Sequence, residues 1–175
     1  MRFFSMLSRP LLKKECAMRH KIHTETTLIP ILEKARQSGK IIVFTNGCFD
    51  LFHYGHLISL THAKHLGDLL VVGINSDISV KKLKGPKRPF VPEDQRIAIV
   101  AAIEYVDYCL LFSEETPKKL IEKIKPDILA KGEEYRGQPI VGEEIVRSRG
   151  GKVVFLPMVP GISTSILAKK RESAL

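Results

Sequence analysis

Residues 41–56 read Ile41-Ile42-Val43-Phe44-Thr45-Asn46-Gly47-Cys48-Phe49-Asp50-Leu51-Phe52-His53-Tyr54-Gly55-His56, and the fold is decided there. The opening run of β-branched and aromatic residues reads as a strand buried on both faces. It breaks at Asn46-Gly47, and a helical pattern begins at Gly55. The first amides of such a helix have no intrahelical partners and sit at the positive end of its dipole, so the junction suits a phosphate. Three residues apart at the helix start, His53 and His56 fall on one face. Without side chains, Gly47 lets the backbone approach a phosphate and Gly55 leaves space for a nucleotide. Taken singly, each histidine reads as solvated and Asp50 as a helix cap. It is the whole string, placed between a first strand and a first core helix, that points to chemistry.

Outward from this stretch, β-rich runs at 41–45, 69–74, 108–112, 128–130 and 153–156 alternate with helical patterns at 28–37, 55–66, 92–104, 117–124 and 141–147. That alternation predicts an α/β fold, a Rossmann-like doubly wound parallel sheet. Ligands of such sheets collect at the carboxyl ends of the strands. Residues 81–92 read as a long polar loop, of the kind that is usually functional or mobile.

The chain has 175 residues, enough for a single domain with a substantial core. That domain is expected over residues 27–175, behind a basic extension, residues 1–26. In the extension Arg2, Arg9, Lys13, Lys14, Arg19 and Lys21 face only Glu15 and Glu25, which inflates the overall net charge of +9. It faintly resembles a transit peptide, but Arg9-Pro10 interrupts any apolar core, and a frayed terminus is the simpler reading. Cys16, Cys48 and Cys109 are few, odd in number and far apart, which argues for a reducing, cytoplasmic setting. No apolar run approaches the roughly 18 residues of a membrane helix.

Several function classes are disfavoured. No G-x-G-x-x-G follows the first strand, and Gly151-Lys152 lacks the hydroxyl residue of a P-loop. His53, His56, His62, His65 and Cys48 lack a paired-cysteine zinc pattern, so no metal site is expected; His62 and His65 read as surface residues. Basic charge admits a non-catalytic nucleotide or nucleic-acid binding module, but few aromatics interleave the basic residues, and nucleic acid is not the expected partner.

The string His53-x-Gly55-His56 resembles the signature of the nucleotidyltransferase superfamily that includes cytidylyltransferases and phosphopantetheine adenylyltransferase. Further on, Asn75-Ser76-Asp77, Leu83-Lys84-Gly85-Pro86, Arg88-Pro89, Arg96, Val106-Asp107, Thr116-Pro117, Lys125-Pro126-Asp127, Lys131-Gly132 and Gly161-Ile162-Ser163-Thr164-Ser165 resemble, in order, the D-glycero-β-D-manno-heptose 1-phosphate adenylyltransferase family. That family is the adenylyltransferase half of bifunctional ADP-heptose synthase. The resemblance implies transfer of AMP from ATP, with Mg²⁺, to a heptose 1-phosphate, releasing pyrophosphate and feeding lipopolysaccharide inner-core synthesis. It implies roles for His53, His56, Lys84 and Arg96 at the phosphates. Asn46, Gly47, Phe49, Asp50, Gly55, Lys131, Gly132, Ser163, Thr164 and Ser165 are implied nucleotide contacts, and a homodimer is implied as well. The chain departs from the family at Glu133-Glu134, where a small residue and an aspartate are usual. With no room here for the sugar kinase of bifunctional members, a separate kinase is expected to supply the acceptor. The nearest competing reading is a cytidylyltransferase acting on glycerol 3-phosphate or a related alcohol phosphate.

Overall fold

The computed structural model describes residues 18–162 and Thr164. Five strands, β1 (Ile42–Gly47), β2 (Leu69–Asn75), β3 (Tyr108–Phe112), β4 (Ile128–Gly132) and β5 (Lys152–Leu156), form one parallel sheet in the order β3-β2-β1-β4-β5. The helices are α1 (Glu25–Gln37), α2 (Tyr54–Lys64), α3 (Asp77–Lys84), α4 (Glu93–Ala102), α5 (Lys118–Ile124) and α6 (Glu143–Arg147).

Alternation along the strands distributes the core to both faces of the sheet. In β1, Val43 packs with Leu60 and Ala63 of α2 and with Ile97 and Val100 of α4. Its neighbours Ile42 and Phe44 turn to the other face, against Leu28 and Leu32 of α1, Leu120, Ile121 and Ile124 of α5, and Val146 of α6. Helices thus cover both faces, as a doubly wound sheet requires. Among the described residues, no helix is long and apolar enough to cross a membrane.

Two sequence expectations are corrected. The body begins by Met18 rather than at residue 27: Cys109 N–H donates to Lys21 O at 2.8 Å, and His23 N–H to Cys109 O at 2.9 Å. Residues 21–23 thereby cover the outer edge of β3, which would otherwise expose unpaired backbone groups. Thr24 then caps α1, which starts three residues earlier than its apolar pattern. The first third of the expected polar loop, residues 81–84, is also helical. Ser76 accepts from Ser79 N–H, Asp77 lies in the first turn and Lys81, Lys82 and Lys84 in the last, so α3 is set by capping and dipole chemistry. Its buried face is only Ser79 and Val80, too little to register as periodicity.

The chain reverses direction across the sheet between β1 and β4. Pairing there runs only through Val43↔Ile128 and Phe44↔Leu129, whereas β1 pairs with β2 out to Gly47↔Ile74. Residues 45–47 and 130–132 therefore diverge at their carboxyl ends, and the crevice between them is where ligands of this architecture bind.

Candidate active site

His53 is the N-cap of α2. Its backbone N–H donates to Nδ1 of His56 at 3.3 Å, and the two rings stack with centroids 3.8 Å apart and planes 19° from parallel. Because Nδ1 of His56 accepts, the proton of that neutral ring resides on Nε2, a donor for an anion. Nδ1 of His53 is buried without a hydrogen-bond partner; a buried lone pair is less costly than a buried N–H, so this ring too carries its proton on Nε2. Burial, reinforced by the neighbouring His53, pushes the His56 imidazole down to about 4, and burial lowers His53 as well. At neutral pH both rings are uncharged donors at the end of a helix with unpaired amides.

The depressed His56 value makes a stability prediction. Its folded pKa of about 4 lies below the ordinary 6.5, so between those values the unfolded chain binds the proton and the folded chain does not. The contribution of this ring to stability is therefore present in full above pH 6.5 and is lost as pH falls toward 4, by on the order of 2–3 kcal/mol once the ring's partial exposure is discounted. Urea midpoints measured from pH 7 to pH 4.5 should fall more steeply for the parent protein than for His56→Asn.

The glycines of the motif serve the rings directly. A Cβ on Gly55 would lie 3.0 Å from both Cε1 and Nδ1 of His53, and one on Gly47 would lie 3.3 Å from the Phe49 ring. The space left by Gly55 thus holds the His53 imidazole. The Phe49 ring is 8% exposed, stacks with Phe52 and lies tilted against His56 with centroids 5.3 Å apart, so this side chain backs the histidine pair from within the core.

Asp50 does not cap α2. Only 1% exposed, it accepts from Arg88 Nε at 2.6 Å, Phe90 N–H at 2.9 Å and Val91 N–H at 3.0 Å. Arg96 is corrected too. It is fully buried, and its guanidinium donates to Val91 O at 2.9 Å, to the Asp77 carboxylate at 2.8 Å and to Cys48 O. A side chain so enclosed does not reach a departing pyrophosphate. Lys84, by contrast, is exposed at the end of α3. It is the strongest of the nearby cations, ahead of Arg96 and Arg88, that oppose the burial-driven rise of the Cys48 thiol. Arg88, which the sequence offers only as part of the Arg88-Pro89 resemblance, is the cation that matches Asp50. The signal for it was Asp50 itself, an acid within the apolar Phe49–Phe52 stretch that a buried site must match with a cation.

Across the crevice, Lys131 Nζ donates to Asn46 Oδ1 at 2.5 Å, joining the ends of β4 and β1. Burial pushes this amine down to about 8, against the opposing pull of Glu134. Of the two acids that depart from the family, Glu133 pairs with Arg136, while the Glu134 carboxylate folds over Gly132. Thr164 donates from its hydroxyl to Asp50 O at 3.1 Å, which places this residue at the same loop. Ser163 and Ser165 lie outside the described residues.

A family profile described as Cytidylyltransferase-like matches residues 44–170, from Phe44 in β1 onward. The chain belongs to the cytidylyltransferase-like family. Within that family it is 47% identical over 150 residues to the bifunctional protein HldE of Syntrophotalea carbinolica and 48% identical over 150 residues to that of Trichlorobacter lovleyi. These alignments take in 86% of this chain and 31% and 30% of those proteins, so the chain spans about a third of the curated relatives it matches. A crystal structure of the lipopolysaccharide core biosynthesis protein from Thermoplasma volcanium superposes with a TM-score of 0.56 at 30% identity, covering 69% of this chain and 98% of that one.

Among the described residues no three His, Cys, Asp or Glu side chains gather to hold a metal, and Asp50 is already matched by Arg88.

Proposed function

We propose that this protein transfers AMP from ATP to a sugar 1-phosphate, with D-glycero-β-D-manno-heptose 1-phosphate as the acceptor, releasing pyrophosphate and forming ADP-heptose for lipopolysaccharide core synthesis. The observation that carries the reading is the stacked pair of neutral imidazoles at the open N-terminus of α2, beside the crevice between β1 and β4. The high identity to proteins named HldE supports the choice of nucleotide and acceptor.

A sugar phosphate is largely ionised at neutral pH, so the attacking oxygen needs no general base. The barrier lies in aligning two polyanions and in the charge that develops around the α phosphorus. His53 and His56 donate from Nε2 to oxygens of the α and β phosphates, and the first amides of α2 add their own donors. Lys84 faces the departing pyrophosphate as a point charge. The loop after β4, with Gly132 and the Lys131–Asn46 bridge, forms the wall that meets the nucleoside. Mg²⁺ entering with the triphosphate would supply charge neutralisation, beside the donors of His53, His56 and Lys84. The acceptor's own phosphate comes from a sugar kinase, acting upstream of this domain. Free Cys48 and Cys109 and nucleotide substrates fit a cytoplasmic setting. We extend the proposal to a homodimer on the strength of the resemblance, to be checked by sedimentation equilibrium.

The deciding experiment incubates the protein with ATP, CTP, GTP or UTP against heptose 1-phosphate, glucose 1-phosphate and glycerol 3-phosphate, with and without Mg²⁺, and follows pyrophosphate. Turnover with ATP and the heptose is expected; turnover with CTP alone would replace this reading by a cytidylyltransferase. A second check concerns Gly55→Ala. Alanine is normally the better helix former by up to about 1 kcal/mol, so the melting temperature should hold or rise. The displaced His53 ring should nonetheless lower the rate on the order of 10²-fold.

A further inference from the structure

The loop after β1 and the basic segment behind α3 are far apart in the chain, yet opposite buried charges join them. From one side the Asp50 carboxylate takes the Phe90 and Val91 amides and the Arg88 guanidinium. From the other, the Arg96 guanidinium holds Val91 O together with Cys48 O, and is itself neutralised by Asp77. Both N–H and C=O of Val91 are therefore held, one by an anion and one by a cation, and the same two charges grip residues 48 and 50. Arg88, pinned by Asp50, also lies over the Phe90 ring at 4.6 Å. Hydrogen bonds to charged groups are about twice as strong as neutral ones and strongly directional. Two of them of opposite sign on one residue fix its position along the chain as well as its distance.

We infer that Asp50 and Arg96 are positioning residues, a pair of buried charges that latch residues 88–91 onto the loop carrying the histidine motif, so that the Lys84–Lys87 end of the basic segment meets the triphosphate from a fixed support. The inference deepens the proposed nucleotidyl transfer and rests on it for the catalytic readout, but the latch itself has a readout that needs no substrate. Lys87 is exposed, and trypsin cleavage after it requires the segment to open locally.

The test compares the parent protein with Asp50→Asn and Arg88→Met. Asparagine keeps the shape of Asp50 but puts a donor opposite Arg88 and two amides; methionine removes one anchor and leaves the amides in place. Under native conditions, cleavage after Lys87, followed by mass spectrometry, should be slow in the parent, roughly tenfold or more faster in Asp50→Asn, and intermediate in Arg88→Met. In the pyrophosphate assay KM for ATP should rise by about the same factor while kcat changes less, since a loosened cation support weakens binding ahead of the chemical step. Rapid cleavage of the parent, or unchanged cleavage and KM in variants that melt as cooperatively as the parent, overturns the latch. If Asp50→Asn does not fold, Arg88→Met and the parent's own cleavage rate decide. A parent protein that turns over no substrate pair but shows the graded cleavage removes the functional reading and leaves the latch standing.

Discussion

His56→Ala is expected to lower the rate of pyrophosphate release by roughly 10²–10³, the usual cost of removing one preorganised transition-state donor. The loss has two sources. The Nε2 donor disappears, and so does the acceptor for the His53 backbone N–H, which lies 3.3 Å from Nδ1. The cap of α2 loosens and the His53 ring loses the partner against which it stacks at 3.8 Å. His56→Asn separates the two effects, because its short side chain can satisfy the His53 N–H without reaching the phosphates. A stopped assay of both variants with saturating ATP, alongside melting curves, checks this. Near-parental kcat in His56→Ala with folding intact would remove the imidazole pair from the chemistry.

Arg96→Met is expected to be the most destabilising change at the site, by about 3 kcal/mol or more. Methionine matches the length of the stem and fills much of its volume, so the cost comes from the charge. Asp77 loses its partner, and Val91 O and Cys48 O lose donors in a region from which water is largely excluded. Asp77 is 32% exposed, which lets water recover part of its solvation and keeps the figure from the upper end of the range. For a chain of this size that corresponds to a fall in melting temperature of roughly 6–12 °C, readable by calorimetry. A variant that melts with the parent would show that the buried guanidinium contributes nothing net to stability.

These predictions differ in how far the sequence alone could reach them. The histidine motif is local. Strand, turn and helix start follow one another within residues 42–56, and the three-residue spacing of the two rings is a property of any helix. Lys131-Gly132 was legible for a similar reason, because a short apolar run ending in a glycine marks the carboxyl end of a strand. The N-terminal segment 21–23 was not legible, since its place beside β3 depends on a bridge to Cys109 far along the chain. Helix α3 was missed because eight residues with a two-residue buried face carry almost no periodic signal.

The charged residues show the limit most clearly. From sequence Asp50 reads as a helix cap and Arg96 as a phosphate ligand, and nothing in residue order pairs either with its buried partner. Asp50 meets Arg88 across 38 positions of sequence and Arg96 meets Cys48 across 48. From residue order alone, the alternation of strands and helices and the position of the histidine pair at the first junction were determined, because both rest on contacts between near neighbours. Only the tertiary structure decided which cations face solvent and which are enclosed as structural charges. That outcome depends on where the chain crosses the sheet and which backbone groups the crossing leaves without partners.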